Sequence, residues 1–264
     1  MSVPSPTPRT RVVLGATCYA DAAASLQVAL VLAQQISGDL LGCFCADDAI
    51  IASVSYPNAR AVSYSGRRFP SVSAQSMRAA LHADARKFEE HLISEARRAS
   101  LRAAFTRARG PLSDVLQQAP GAGDLVVFGF RRGLDGGDSI AVLCGEGRPD
   151  PQALALGAAL SRRFGKTLSI FTTPAFHGDI ADHLSELHVP RYDLQPYTGI
   201  DAARARLDRM SLAALVVGVE LPDVAAALRL MDAARCPVVV PIHKLTSGTG
   251  ASSAAPTDME WRKP

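Results

Sequence analysis

Two kinds of hydrophobic pattern alternate along the chain: short unbroken apolar runs, and longer stretches in which apolar residues recur every three or four positions. The first run, Val12-Val13-Leu14-Gly15-Ala16, ends at small residues and predicts a buried strand entering a loop. From Asp21 to Ile36 the residues Leu26, Ala29, Leu30, Ala33 and Ile36 keep helical spacing, and Gly38 is placed to stop that helix. Leu40 to Cys45 reads as a second strand. Asp47 to Ser76 has no clear period and predicts a long loop with some local helix. Met77 to Ala99 then carries Leu81, Phe88, Leu92 and Ala96 on one face of a long helix. Arg102 to Arg107 fits a third strand, Pro111 to Ala119 a short helix, and Asp124 to Gly129 a buried fourth strand.

Only Phe130 to Asp138 separate that strand from the next apolar run, Ser139 to Cys144. A parallel crossover needs about ten to twelve residues or more, so no helix fits there, and the new run either pairs antiparallel or opens another sheet. Repetition favours the second choice. Ile140 to Phe171 retraces the order of Val12 to Cys45: strand, loop, a helix with Leu154, Leu156, Ala159, Leu160 and Phe164 on its apolar face, a glycine at Gly165, then the strand Thr167 to Thr172. Leu215-Val216-Val217-Gly218-Val219 echoes Leu125 to Gly129, and a helix from Pro222 to Ala234 with a last strand, Cys236 to Val240, completes the second copy. The expected architecture is therefore α/β: two Rossmann-like units with mainly parallel sheets, the first lacking its last helix and strand. The boundaries are a flexible N-terminal tail at 1–10, units at 11–138 and 139–243, and a flexible C-terminal tail at 244–264.

Composition narrows the function classes. With 264 residues and 48% hydrophobic content the chain can bury a sizeable core. Its 28 basic against 25 acidic residues leave a net charge of +3, too balanced to recruit nucleic acid or an anionic membrane. The five cysteines, Cys18, Cys43, Cys45, Cys144 and Cys236, are an odd number lying mostly in strand-like runs, as suits reduced thiols in a cytoplasmic protein. No uncharged stretch reaches the roughly 18 residues of a membrane span, and no apolar run follows the first basic residues.

The repeated strand-helix-strand opening, the Leu-Val-Val-x-Gly-type fourth strand and the ending Ala234-Arg235-Cys236-Pro237-Val238-Val239-Val240 resemble the universal stress protein family in a tandem form, over roughly Thr10 to Ile242. The resemblance implies a fold like that of the adenine nucleotide alpha hydrolases, a stress-related role, and units that pair through their last strands, so that the two copies would pack as an intrachain pseudo-dimer. It also raises ATP as a ligand, because many members are similar in using an acid that closes the first strand and a Gly-x-x-Gly pattern, nine residues on from which comes Gly-Ser or Gly-Thr. This chain departs from that pattern. The first strands run into Gly15-Ala16-Thr17-Cys18 and Gly145-Glu146-Gly147, so only Glu146 could imitate the acid, and the nine-residue spacing fails after both fourth strands. Val219, Glu220 and Leu221 would add bulk and like charge near a phosphate. No cofactor is expected, with ATP kept open only in a geometry other than the family's usual one.

The candidate ligand residues are Thr17, Gly129, Arg131, Arg132, Gly136 and Gly137, at the carboxyl end of a central strand where open α/β sheets bind ligands. Two arginines beside glycines could hold an anion, although a solvated linker is the plainer reading. Cys43 and Cys45 share a strand face and read best as small buried hydrophobes. His177, His183 and His188 with Asp179, Asp182 and Glu186 match no zinc pattern and read as a polar surface helix. The arginines Arg97, Arg98, Arg102, Arg107 and Arg109 are offset by Glu89, Glu90 and Glu95, and no metal or catalytic constellation emerges. The chain thus reads as a non-catalytic protein that works through a protein partner or self-association, with a nucleotide or anion sensor as the alternative. An open sheet edge is expected where the closing strand is missing.

Overall fold

The computed structural model describes residues 10–54, 73–118, 121, 124–130, 137–145, 150–174 and 180–245. Its first half runs β1 (Arg11–Ala16), α1 (Tyr19–Gln35), β2 (Asp39–Ala46), α2 (Asp48–Ser53), α3 (Ala74–Arg98), β3 (Ala103–Arg109), α4 (Leu112–Gln118) and β4 (Leu125–Phe128). The second half runs β5 (Ser139–Cys144), α5 (Pro151–Phe164), β6 (Thr167–Thr172), α6 (Ile180–Glu186), β7 (Tyr192–Pro196), α7 (Ile200–Leu207), β8 (Leu212–Gly218), α8 (Val224–Ala234) and β9 (Val238–Pro241), followed by a 3-10 turn, Ile242–Lys244.

The nine strands form one sheet in the order β3-β2-β1-β4-β9-β8-β5-β6-β7. All neighbours are parallel except β4 and β9, which run antiparallel with Leu125 opposite Pro241 and Phe128 opposite Val238. The strand order 3-2-1-4 is thus repeated as 7-6-5-8, and β9 fills the seam. The strand the first half lacks is replaced by one borrowed from the second, which closes the edge of β4 that the sequence left open. Because polarity reverses at the seam, the carboxyl ends of the two halves point to opposite ends of the sheet.

The apolar runs do what their composition requires. Every residue of β4, β8 and β9 is buried, whereas the outer strands β3 and β7 are half exposed. One layer, α1, α3, α5 and α6, covers one face; α4, α7 and α8 cover the other. Helices α1 and α5 touch across the seam on the first face, as α4 and α8 do on the second. The seam is also tied by polar groups at the buried Asp124. Its carboxylate accepts from the Arg11 backbone N–H at 2.9 Å, from the Arg11 guanidinium at 2.9 and 2.6 Å, and from the Gly121 N–H at 2.7 Å. Its backbone carbonyl accepts from the Ile242 N–H at 2.9 Å. One residue therefore joins the start of β1, the start of β4 and the exit of β9.

Several boundaries differ from the sequence reading, each for a physical reason. Helix α3 begins before Met77 because Ser73 and Ser76 form a capping box. Helix α1 is stopped by Ser37, which takes the left-handed conformation at φ 51, rather than by Gly38. Strand β7 and helix α7 escaped the pattern altogether: β7, Tyr-Asp-Leu-Gln-Pro, is an outer strand whose partner on one side alone demands little apolar content. The C-terminal segment stays packed beyond 243, since the Lys244 carbonyl accepts from the Leu221 N–H at 2.7 Å and Leu245 bridges Leu221.

Replacing Asp124 by Ala leaves Arg11 facing a buried void and strips four donors of their acceptor. We expect a loss of about 3 kcal/mol in urea unfolding, in the range for breaking a largely buried ion pair. An unchanged midpoint would show that the apolar seam alone holds the halves.

Candidate functional site

The first half's carboxyl end contains the positions that the sequence singled out, and there the backbone donors are already engaged. Gly129 donates its N–H to the Gly15 carbonyl at 2.8 Å, and the Phe130 N–H goes to the Ser25 hydroxyl at 3.0 Å. A side chain at Gly129 would stand 2.9 Å from the Gly15 carbonyl and 3.2 Å from the Asp21 carbonyl, so this glycine serves close packing of β4 on β1 and α1. The Thr17 hydroxyl donates to Asp21 at 3.4 Å, within the first turn of α1. The first N–H of that helix, Tyr19, is taken by the Asp84 carboxylate at 3.0 Å. Gly137 has a structural task as well: a Cβ there would lie 2.1 Å from the Leu212 carbonyl carbon on β8. Arg131, Arg132 and Gly136 fall outside the described residues.

An open cleft of about 910 Å³ instead occupies the carboxyl end of the second half. Its walls come from the ends of four strands and the helices that follow. Gly145 follows β5, Thr173 follows β6, and Tyr197 and Gly199 lead from β7 into α7 with Arg204. Gly218 to Pro222 connect β8 to α8, which contributes Arg229, and Lys244 closes the site from the turn after β9. Tyr197 is buried, packs edge-on against Phe171 at 6.3 Å, and donates its hydroxyl to the Cys144 carbonyl at 2.6 Å. The Thr173 hydroxyl is buried with no hydrogen-bond partner among the described residues.

The electrostatics of the cleft are balanced. Arg204, Arg229 and Lys244 face Asp150, Asp201 and Glu220 around one cavity. Asp150 caps α5, accepting from the N–H groups of Gln152 at 2.9 Å and Ala153 at 3.2 Å, and it pairs with Lys244 at 2.9 Å. Burial pushes its pKa up, but the Lys244 hydrogen bond and charge and the two backbone donors outweigh this and hold it below the ordinary carboxylate value. Helix α8 is capped in the same way by Asp223, which accepts from the Ala226 N–H at 2.7 Å. The chain's own carboxylates thus occupy the N-termini of α5 and α8, where a phosphate would sit, while the α7 N-terminus at Gly199 has no side-chain cap. Val219, Glu220 and Leu221 do line the site, and the Leu221 N–H is spent on the Lys244 carbonyl. Glu146 lies outside the described residues.

The remaining candidates stay apart from this cleft. The Cys43 and Cys45 sulfurs lie 3.9 Å apart, fully buried in the layer that packs on α4. His183 sits on α6, and among the described residues no group of three or more His, Cys, Asp or Glu is placed to hold a metal. His177 and Asp179 fall outside the described residues. Arg98, Arg102 and Arg107 are drawn into ion pairs with Glu95, Asp39 and Glu89. No helix among the described residues is long and apolar enough to cross a membrane. Sequence reading missed Thr173, Tyr197, Arg204, Arg229 and Lys244, which come from five separate segments. The Tyr197-Thr198-Gly199 step was the one local signal of a strand turning into a helix.

No family model matches the chain, and no curated protein does. Among solved structures it is similar to the crystal structure of a universal stress protein from Archaeoglobus fulgidus DSM 4304. The identity is 10% and the TM-score 0.46, over 87% of this chain and 95% of that one.

Since its folded pKa is depressed, Asp150 contributes stability that is complete above its ordinary value of 3.8 and is lost as pH falls through the lower folded value. Replacing Lys244 by Gln removes the largest of the influences that lower it. The acid-unfolding midpoint should therefore move to higher pH, as followed by circular dichroism. An unmoved midpoint would show that the pair has no bearing on stability.

Proposed function

We propose that this chain is a non-catalytic regulator of universal-stress type, one that binds a small polar molecule of little net charge in the second-half cleft and passes its state on through protein contacts. The observation that carries this reading is the cleft itself: about 910 Å³, at the carboxyl ends of parallel strands, with three cations and three carboxylates in its lining. Such a volume is at the upper end of the usual range for small-molecule sites, about 300–1,000 Å³. A lining of balanced charge favours a ligand that offers donors and acceptors of both signs. A triphosphate would meet Glu220 and two helix N-termini already capped by carboxylates.

The absence of turnover in this reading is supported by how the reactive groups are held. Burial, with a smaller push from Asp150, raises the Cys144 thiol to about 12, so it is not a nucleophile at neutral pH. The Tyr197 hydroxyl is committed to a backbone carbonyl and Asp150 to Lys244 and the α5 N-terminus. Thr173 is the group left with unmet hydrogen-bonding capacity, and it is the natural contact for a ligand.

The test is thermal unfolding with a panel of nucleosides, nucleotides with magnesium, and amino acids, on the wild type, Thr173→Val and Arg229→Ala. A free ligand at about 100 times its dissociation constant stabilises the fold by about 2.7 kcal/mol, which is readily seen. We expect a neutral or zwitterionic compound to raise the midpoint and to be recovered unchanged. The shift should shrink in both variants, while unliganded Thr173→Val is no less stable than wild type, because it loses a hydroxyl that had no partner. No shift with any compound, equal shifts in all three proteins, or conversion of the compound would each overturn the reading.

A further inference from the structure

A second cavity, of about 270 Å³, lies in the first half, at the opposite end of the sheet from the cleft. Three elements build it. In the β2–β3 register Phe44 is opposite Arg107 and Ala46 opposite Arg109, so these four side chains share the sheet face that α3 covers. From α3 come Arg78, Leu81, His82 and Ala85, one stripe at positions i, i+3, i+4 and i+7. From α2 come Asp48 and Ile51, again on one stripe.

The result is chemically polarised. Its floor is apolar: Phe44, Ile51 and Ala85 are buried, and Leu81 and Ala46 are half-buried. Its rim is charged and exposed, with three arginines against one aspartate. Arg107 already has a partner, Glu89 at 3.2 Å, and stacks near the Phe105 ring. Arg78 and Arg109 have no ion pair or hydrogen bond with any described residue. Two guanidinium groups without a partner among the described residues, above an apolar pocket, fit a ligand with an anionic head and a hydrocarbon body. Arg presents a fork that matches a planar carboxylate with two parallel hydrogen bonds. At about 30 Å³ per water-sized unit the cavity takes about nine such units, so a carboxylate with a short chain or one ring fills it and a long acyl chain does not.

We propose that this cavity is a second binding site, for a small amphipathic carboxylate whose head is held by Arg78 and Arg109 and whose body lies on Phe44, Ile51 and Leu81. It is independent of the polar cleft.

The test is isothermal titration of the full chain with octanoate, and in parallel with acetate and octylammonium, on wild type, Arg78→Gln/Arg109→Gln and Leu81→Gln. Both arginines are exposed, so the double variant should fold, which circular dichroism checks. We expect one octanoate per chain, bound about tenfold or more weakly by either variant, weakened by added salt, and unaffected by Thr173→Val in the distant cleft. Acetate and octylammonium should not bind. Failure of octanoate to bind at millimolar concentration overturns the proposal, as does equal binding by wild type and the double variant. Binding of octylammonium as tight as that of octanoate would show a merely hydrophobic contact and overturn it too. A loss on Thr173→Val alone would place the carboxylate in the cleft and overturn it, while leaving the cleft reading standing.

Discussion

The antiparallel pairing of β4 with β9 is the constraint on which the remaining structure depends. A four-stranded first half whose last strand has all four residues buried cannot leave that strand at an edge, because its N–H and C=O groups would face either solvent or an apolar neighbour without partners. The second half supplies β9, which pairs on one side with β8 and on the other with β4. Asp124 reinforces the join, holding Arg11 and Gly121 with its carboxylate and Ile242 with its carbonyl. One strand thus serves two halves, and the α1–α5 and α4–α8 contacts follow from bringing them side by side.

That pairing also decides where ligands can go. Parallel α/β sheets offer their crevices at carboxyl ends, and reversal at the seam sends the two crevices to opposite ends of the molecule. The two ends were then treated differently. In the first half the crevice beside β1 and β4 is closed by direct contacts: Gly129 onto Gly15, Phe130 onto Ser25, Tyr19 onto Asp84. In the second half Gly145, Gly199 and Gly218 to Pro222 leave an opening that Lys244 reaches from beyond β9.

A common substitution runs through both ends. Helix α7, opening at Gly199, has no side-chain cap, but at three helix N-termini that face the ends of parallel strands a carboxylate from this chain is the acceptor: Asp84 at α1, Asp150 at α5 and Asp223 at α8. Such a group supplies the negative charge that a phosphate would otherwise bring and removes the reason for one to bind. The scaffold is kept while the dipoles of these three helices are satisfied from within. What these ends offer a ligand is mainly side-chain chemistry, of both signs in the cleft and cationic over an apolar floor beneath α3.

By itself the sequence determined the class of the fold and most of its elements. Unbroken apolar runs such as Leu125–Phe128 and Ile140–Cys144 can be buried only as central strands, and the short link between them forbade a crossover helix. The repeated succession of strand, helix and strand along the chain followed from the same periodicity. It failed at β7 and α7, since an outer strand and a short exposed helix bury little and carry little pattern. It made Thr17, Gly129 and Gly137 candidate ligand residues, and for the two glycines local sequence does not distinguish phosphate approach from close backbone packing, since a glycine permits both. Tertiary structure alone decided that these glycines pack against Gly15, Asp21 and Leu212. It likewise decided that β9 crosses to β4, and that Thr173, Tyr197, Arg204, Arg229 and Lys244 meet around one cavity. Those are long-range contacts, set by which buried surfaces and unpaired backbone groups find each other in space, and no local period along the chain records them.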